Sequence, residues 1–352
     1  MNIKFLLSRS ITELANHGIP TPELDARILL REAVEKDDSF VFSHPEHLIT
    51  NTQYSRFRSY IRRRKKGEPI AYILDHREFF GLNFIINKNV LVPRPETEWL
   101  VEKSIAFLQN YELRIKNYAN GSTERHACHP ELAIRFHSRP ELAEWVSGPH
   151  NNEEMLKQVR DDKINVLDMG TGSGCIIISV IKNLPSPDSM LLTPNYFASD
   201  LSQKALKIAR KNAELNNVKN IKFYISDLFS NRFLHKKFDL IIANLPYVPY
   251  NTSVGATTFR HFGRNRRNRL IVDPIAFEPQ NAIFANDNGM AIIKKFLSEA
   301  RTRLNDHGTI LLETDCRNAK EVFKFAQKEY PEAKVGLKKD LAGLDRYIAI
   351  DT

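Results

Sequence analysis

The tetrapeptide Asn244-Leu245-Pro246-Tyr247 combines the groups needed to hold a planar NH2 group. It follows the apolar run 238–243, so a buried strand would place it at the edge of a sheet. An amide oxygen and a backbone carbonyl can accept the two N–H hydrogens while an aromatic ring packs on the plane. A nitrogen held in this way can be methylated if a methyl donor binds nearby. The competing interpretation is an ordinary strand-ending turn, since Asn and Pro both favour turns.

A candidate donor pocket lies upstream, where a buried strand at 164–169 runs into a glycine loop and then into an apolar helix that starts at Cys175. Glycines permit positive φ and close approach of the backbone to a ligand, and the helix N-terminus offers free N–H groups. This order is shared with nucleotide-binding folds. The loop consists of Gly170, Thr171, Gly172, Ser173 and Gly174.

Neither common phosphate motif is complete in this loop. A dinucleotide fingerprint starting at Gly170 would need Gly or Ala at position 175, where Cys175 stands, and the Lys-Ser/Thr pair of a P-loop is absent. Asp168 directly precedes the loop, which suits a cationic or amine-bearing ligand better than a pyrophosphate. The loop therefore favours a ligand other than a nucleotide phosphate.

Two further strand-end acids suit a nucleoside. Asp200 ends the predicted strand 195–200 and can accept both hydrogen bonds of a ribose diol. Asp227, followed by Leu228, ends the predicted strand 221–226 and can meet an adenine amino group. Either acid taken singly could be only a helix N-cap. Together with the loop and the tetrapeptide, they predict S-adenosylmethionine as the cofactor.

These motifs resemble those of the HemK/PrmC-type protein-(glutamine-N5) methyltransferases, which methylate the glutamine of the Gly-Gly-Gln loop in peptide-chain release factors. The resemblance implies an α/β fold: a class I methyltransferase domain, Rossmann-like with a seven-stranded, mostly parallel sheet, and a small all-α amino-terminal domain. It rests on the motifs above and on similar segments at 21–30, 67–72, 77–81, 92–98, 277–279 and 308–313.

The resemblance also implies roles for the tetrapeptide. The Asn244 side-chain oxygen and the Leu245 main-chain oxygen accept the two N–H bonds of the glutamine, Tyr247 packs on the amide plane and Pro246 fixes the turn. The family has Pro where Leu245 stands. Because that position acts through its carbonyl, we expect Leu245→Pro to leave turnover similar or higher. No metal is implied, and the cofactor site comprises Asp168, Gly170, Thr171, Gly172, Ser173, Gly174, Asp200, Asp227, Leu228 and Asn244.

Periodicity predicts the organisation of the chain. Residues 1–75 are predicted to form a helical domain, with Thr21 as an N-cap and Pro22 at the first helical position. The resemblance implies that this domain docks the release factor. A connector at 76–109 contains a hairpin and a helix. An insertion at 110–162 is atypical of the family and flexible, and the methyltransferase domain occupies 163–352. Within that domain we predict helices at 202–216, 289–304 and 318–327 and an antiparallel edge at 333–337 and 346–350.

Composition restricts the setting of the protein. At 352 residues with 42% hydrophobic content, the chain can bury a sizeable core. It has no cleavable signal pattern, and its apolar runs are too short to span a bilayer. The three cysteines, Cys128, Cys175 and Cys316, are odd in number and far apart, so a cytoplasmic protein without membrane contact is predicted. We also expect it to be a monomer. A zinc site is not expected from His126, Cys128, His129 and His137, which lack four-ligand spacing.

The net charge of +9 is concentrated partly in two runs, Arg62–Lys66 and Arg264–Arg269. Such runs are usually solvated faces, but they can also attract an acidic protein surface or nearby RNA. Three functions therefore stay open. The first is methylation of the release-factor glutamine, with ribosomal-protein glutamine as a close sibling. The second is methylation of an exocyclic amine in nucleic acid. The third is a release-factor-binding protein that has lost turnover.

Overall fold

The computed structural model describes residues 1–119, 164–185, 194–249 and 274–352. The chain forms two compact units. The amino-terminal unit contains Met1–Arg77, Ile85–Val92 and, in its described part, Asn251–Gln280. The sheet unit contains Glu78–Phe84, Pro93–Tyr250 and Asn281–Thr352, again in its described part.

Several predicted features lie outside the described residues. They are residues 120–162 of the insertion with its histidine and cysteine group, His126, Cys128, His129 and His137, and the basic run Arg264–Arg269.

The described part of the amino-terminal unit contains five α-helices, and capping side chains fix where three of them begin. Asn2, Asp37 and Thr50 each accept a backbone N–H of the first helical turn, which otherwise has no intrahelical partner. Thr21 precedes a helix as predicted but makes no such bond, because its hydroxyl donates to the Asp25 carboxylate instead. The helices are α1 (Ile3–Asn16), α2 (Pro22–Val34), α3 (Asp38–Ser43), α4 (Asn51–Arg64) and α5 (Ile70–Leu74).

Ion pairs inside this unit use most of the basic run at the end of α4. Arg63 Nε donates to Glu68 at 2.8 Å, and the buried Arg64 pairs with Asp25 at 2.6 Å. Lys65 pairs at 2.8 Å with Glu13, whose pKa is lowered to about 2, chiefly by hydrogen bonds from Arg58. Three of the five cations are therefore bound to carboxylates of the same unit.

A short hairpin follows α5. Its strands are β1 (His76–Phe79) and β2 (Leu82–Ile85), which pair as a two-stranded sheet. The turn is formed by Phe80 and Gly81, both at positive φ. The hairpin lies where the sequence predicts one, although its second strand ends at Ile85, before the apolar residues at 90–92.

The sheet unit contains a seven-stranded sheet with the order β10-β11-β9-β6-β3-β4-β5. Neighbouring strands in the series β9-β6-β3-β4-β5 run parallel to each other, whereas β11 runs antiparallel to both of its neighbours, β9 and β10. This confirms the predicted class I methyltransferase sheet with its antiparallel edge. The strands are β3 (Asn165–Met169), β4 (Asn195–Asp200), β5 (Ile221–Ile225), β6 (Phe238–Asn244), β9 (Leu304–Glu313), β10 (Lys334–Lys339) and β11 (Asp345–Asp351), and β7 (Val248–Pro249) pairs separately with β8 (Phe284–Ala285).

Helices connect these strands at the predicted places, with one correction. The helices are α6 (Glu98–Ala119), α7 (Cys175–Asn183), α8 (Gln203–Leu215), α9 (Ala291–Arg301) and α10 (Ala319–Glu329). Helix α6 continues past residue 109, where the connector was predicted to end, and no Gly or Pro interrupts it before Ala119. The assignment of 110–162 as an insertion stays a prediction. Deleting the stretch from residue 110 onward would remove the end of α6. No helix in the described parts of the chain is long and apolar enough to cross a membrane.

Candidate functional site

The glycine loop and the tetrapeptide emerge side by side from the sheet. β3 and β6 are parallel neighbours whose register pairs Met169 with Ala243. The loop begins directly after Met169, and the tetrapeptide begins with the last residue of β6, Asn244. Parallel strands end at a common edge, so the two motifs read from the sequence meet there.

The loop takes a conformation that glycine makes possible. Gly170 and Gly174 have φ of +73° and +81°. A Cβ on Gly170 would lie 2.9 Å from Leu245 Cδ2, so the residue must be small as well as left-handed. The side chain of Asn212 on α8 donates to the carbonyl of Ser173 at 2.9 Å and ties the loop to that helix.

Asp168 lies buried beneath the loop with half of its carboxylate unused. The Thr171 hydroxyl donates to Oδ2 at 2.6 Å, but Oδ1 makes no hydrogen bond of ordinary geometry among the described residues, although the backbone N–H of Ile177 lies close enough to lower the pKa of the carboxyl. Burial raises the pKa of Asp168 to about 7, although the Thr171 hydrogen bond opposes the shift. A buried carboxylate oxygen without a donor suits a ligand that brings an amine or a cation.

Asp200 holds the loop from β4. Its two carboxylate oxygens accept the N–H groups of Gly172 at 2.9 Å and Ser202 at 2.8 Å. The N-cap of α8 is Ser202, so Asp200 does not itself cap the helix. Burial raises the pKa of Asp200, because the charged form is poorly solvated there. Each oxygen keeps a second lone pair, and the acid can still accept from a ribose diol.

Asp227 is placed differently from the other two acids. Its exposed carboxylate pairs with Lys295 at 2.9 Å, in a surface pocket that Glu299 and Arg303 also line. Leu228 is buried at a left-handed φ of +49°, and its carbonyl accepts from the Ser226 hydroxyl. The structure therefore joins Asp168 and Asp200 to the loop through hydrogen bonds and pairs Asp227 with a lysine.

The Asn244 amide is held in one orientation. Its Nδ2 donates to Glu313 Oε2 at 3.0 Å and to Thr97 Oγ1 at 3.1 Å. The Thr97 hydroxyl in turn donates to Glu313 Oε2 at 2.8 Å, so it can only accept from the asparagine. The two acceptors are themselves 2.8 Å apart, so both lie on the Nδ2 side of the amide, and Oδ1 is directed away from them.

Tyr247 is tied to the same carboxylate. Its hydroxyl donates to Glu313 Oε1 at 3.0 Å. Burial raises the pKa of Tyr247 well above its ordinary value, and the neighbouring Glu313 adds to the shift, so the phenol stays protonated and able to donate. The backbone of Tyr247 packs closely on Gly289, where a Cβ would lie 2.0 Å from the Tyr247 carbonyl oxygen. The ring is therefore fixed at both ends.

Thr97 and Glu313 were not predicted as site residues, although both stand in segments that carry the family resemblance. A signal for Glu313 is present in the sequence, since an acid ends the apolar run 310–312 at the close of a strand. Its significance depends on the register of β9 against β6, which pairs Glu313 with Asn244. Burial raises the pKa of Glu313, against the effect of hydrogen bonds from Thr97 and Tyr247.

Leu245 has a packing role that the sequence did not suggest. Its side chain is only 4% exposed and belongs to the core of the sheet unit. The predicted tolerance of Leu245→Pro stays a prediction, but that change would also remove the contact with Gly170. Stability should therefore be measured beside turnover.

The described part of the chain contains no group of three or more His, Cys, Asp or Glu side chains that could hold a metal ion.

Two family descriptions match the chain. Residues 6–74 match "PrmC N-terminal domain", and residues 160–345 match "Methyltransferase domain". The second match covers more than half of the chain and includes β3 to β9, where both motifs lie.

Curated relatives match over most of the chain. It is 30% identical to the "Release factor glutamine methyltransferase" of Flavobacterium psychrophilum, over 87% of this chain and 84% of that protein. It is 26% identical to the protein with the same name in Aliivibrio fischeri, over 98% and 96%. The "Bifunctional methyltransferase" of Rickettsia bellii is 29% identical over 91% of this chain, which spans only 50% of that longer protein.

Replacing Gly170 with Ala should destabilise the fold by about 2–3 kcal/mol, because the new Cβ adds crowding against Leu245 to the cost of a left-handed φ. Gly343→Ala is the matched control, since Gly343 has φ +79° with nothing within 4 Å and carries only the backbone cost of about 1 kcal/mol. Urea unfolding measures both, and a Leu245→Ala background should reduce the difference. Equal losses for the two glycines would show that crowding is unimportant.

Proposed function

We propose a reaction for this chain on the premise that it belongs to the release factor glutamine methyltransferase family. It transfers a methyl group from S-adenosylmethionine to the side-chain amide nitrogen (N5) of the glutamine in the Gly-Gly-Gln loop of peptide-chain release factors. The observation that supports this proposal is the fixed Asn244 amide, whose Nδ2 donates to both Glu313 and Thr97.

The chemistry requires acceptors more than acids or bases. An amide nitrogen is a poor nucleophile because its lone pair is delocalised into the carbonyl. The Asn244 side-chain oxygen and the Leu245 main-chain oxygen accept its two N–H bonds and stabilise the positive charge that develops on nitrogen. They also orient the lone pair, which reduces the entropic cost of the transfer. The proton can leave afterwards, when the methylated nitrogen is far more acidic.

The other two residues of the tetrapeptide shape the pocket. Pro246 fixes φ in the turn, and Tyr247 packs on the plane of the glutamine amide. The hydrogen bond from Tyr247 to Glu313 and the contact of its backbone with Gly289 support this role, because they restrict how the ring can move. A ring held in advance needs little reorganisation when the substrate enters.

The residues around the glycine loop fit a donor with an amine and a ribose. When bound, S-adenosylmethionine supplies the electrophilic methyl group. Asp168 Oδ1, which lacks a donor in the described structure, receives the donor's ammonium group, and Asp200 accepts from the ribose diol. We propose that Asp227 and Leu228 lie beside the adenine. The ion pair between Asp227 and Lys295 would have to break for the Asp227 carboxylate to contact the base. The loop residues 170–174 bring backbone close to the ligand.

Release factors are the partners that follow from this reaction, and we place it in the cytoplasm, where translation termination takes place. We propose that the protein acts as a monomer. Proximity to RNA or the ribosome receives little support from Arg62–Lys66, because three of those five cations are paired within the amino-terminal unit.

Asn244→Ala should lower methyl transfer by about 100- to 1,000-fold, because one of the two acceptors is lost. The assay is incubation with labelled S-adenosylmethionine and purified release factor, beside a factor whose Gly-Gly-Gln glutamine is changed to Ala. Label should appear only on the unmodified factor. The matched control is Asn220→Ala on an exposed loop, which should transfer like the parent. Similar rates for Asn244→Ala and the parent would contradict the proposed site.

Binding of the methyl donor should release a proton at pH 6 but not at pH 8. In the free protein the pKa of Asp168 is raised to about 7, so the carboxyl is mostly protonated at pH 6. An ammonium group beside it favours the ionised form, lowers that pKa and expels the proton. Calorimetric titration in two buffers of different ionisation enthalpy measures the release.

The control for this experiment is Asp168→Asn, which should bind the donor more weakly and release no proton at either pH. A buffer-independent heat at pH 6 for the parent would show that the amine does not meet Asp168.

A further inference from the structure

Glu313 is a buried carboxylate that the proposed reaction leaves without a role. It is 1% exposed and accepts hydrogen bonds from three side chains of the sheet unit, Thr97, Asn244 and Tyr247. An ionised carboxylate can only accept, so each of these three groups must direct a hydrogen toward it. Burial raises the pKa of Glu313, whereas the hydrogen bonds from Thr97 and Tyr247 and the charge of Arg346 favour its ionised form.

This carboxylate decides which end of the Asn244 amide faces it. An asparagine amide can rotate so that its oxygen and its nitrogen exchange places, and Thr97 alone would tolerate both arrangements because a hydroxyl can donate or accept. In its ionised form, Glu313 Oε2 tolerates only the arrangement with Nδ2 toward it, at 3.0 Å. The opposite arrangement would set Oδ1 against a buried anion with no hydrogen between them, which is strongly unfavourable.

We propose that Glu313 is a positioning residue that makes the site select a glutamine amide and reject a glutamate carboxylate, by holding Asn244 with its oxygen toward the substrate. This inference rests on the proposed function. It assigns to Glu313 the selection of the chemical group that the site accepts as substrate. The Asn244 oxygen and the Leu245 carbonyl then offer two acceptors, which an NH2 group satisfies. A carboxylate would meet the same acceptors without hydrogens to share. If the Asn244 amide rotated so that its nitrogen faced the substrate, Nδ2 would offer hydrogen-bond donors and the site would accept an anion.

Equilibrium binding tests the selection without turnover. The dissociation constants of a release factor and of its Gln→Glu variant in the Gly-Gly-Gln loop are measured for the full chain with S-adenosylhomocysteine present. We expect the parent to prefer the glutamine form by about tenfold or more, since the carboxylate leaves buried acceptors unpaired. In Glu313→Met the preference should fall to about twofold, because only Thr97 then faces the amide.

The matched control is Thr97→Val, which removes a member of the same buried network but leaves the carboxylate in place. It should keep the preference close to the parent value, whatever it does to stability. Glu313→Gln should give an intermediate preference, because its amide can present either atom to Asn244, and it preserves volume if Glu313→Met folds poorly. Titration with S-adenosylhomocysteine gives the concentration of folded protein in each sample. Glu321→Gln, on the exposed face of α10, should match the parent throughout.

Two results would overturn the inference: an unchanged preference in Glu313→Met and Glu313→Gln, or an equal loss in Thr97→Val and Glu313→Met, which would indicate a structural role alone. The methyl-transfer assay separates failure of this inference from failure of the proposed function. A parent that prefers the glutamine form but transfers no methyl group contradicts the reaction and leaves the positioning role of Glu313 supported. A parent that methylates the factor while Glu313→Met keeps full preference contradicts the positioning role and leaves the reaction supported.

Discussion

The hydrogen bonds accepted by Glu313 connect the end of the central sheet to the groups that would meet a substrate. Parallel pairing of β6 with β9 brings Glu313 directly beside Asn244, and no loop conformation is needed to do so. Because the carboxylate is buried, leaving any of its donors unpaired would be costly, so the network tends to form completely or not at all. The substrate-facing geometry therefore depends on the register of two strands, which is among the most rigid features of an α/β fold.

A second constraint links the two halves of the site. Leu245 occupies a position where the resembled family has Pro, and its side chain fills the space in front of Gly170. This packing holds the tetrapeptide against the glycine loop. The turn needs such a contact because Leu245, unlike a proline at that position, does not fix φ. The loop and the turn cannot shift independently without opening a gap in the core. Rigidity that proline would supply through its ring can here be supplied by a buried contact.

The parts of this structure that could be predicted are those that local patterns determine. Asp168 and Asn244 stand at the ends of apolar runs, so their places at the sheet edge follow from strand periodicity. Glu313 carries the same local signal, but its partner lies in another strand, and only the register of β9 reveals it. Charge pairing was equally hidden: Arg64 meets Asp25 across 39 positions, and Asp227 meets Lys295 across 68. Helix α6 runs beyond the predicted connector at 76–109, because a departure from family length does not mark the end of a helix.

Two acceptors at the end of a strand could serve an exocyclic amine of a nucleic-acid base as well as a glutamine amide, so the tetrapeptide alone does not choose between them. Thr97 supplies a further criterion. It belongs to the segment 92–98, outside residues 160–345 that match the methyltransferase domain, yet it donates to the carboxylate that orients Asn244. The acceptor geometry of this chain therefore depends on a segment that the matched domain does not include. A change of substrate class would have to preserve or replace that contact, and this ties the connecting segment to the chemistry as well as to the architecture.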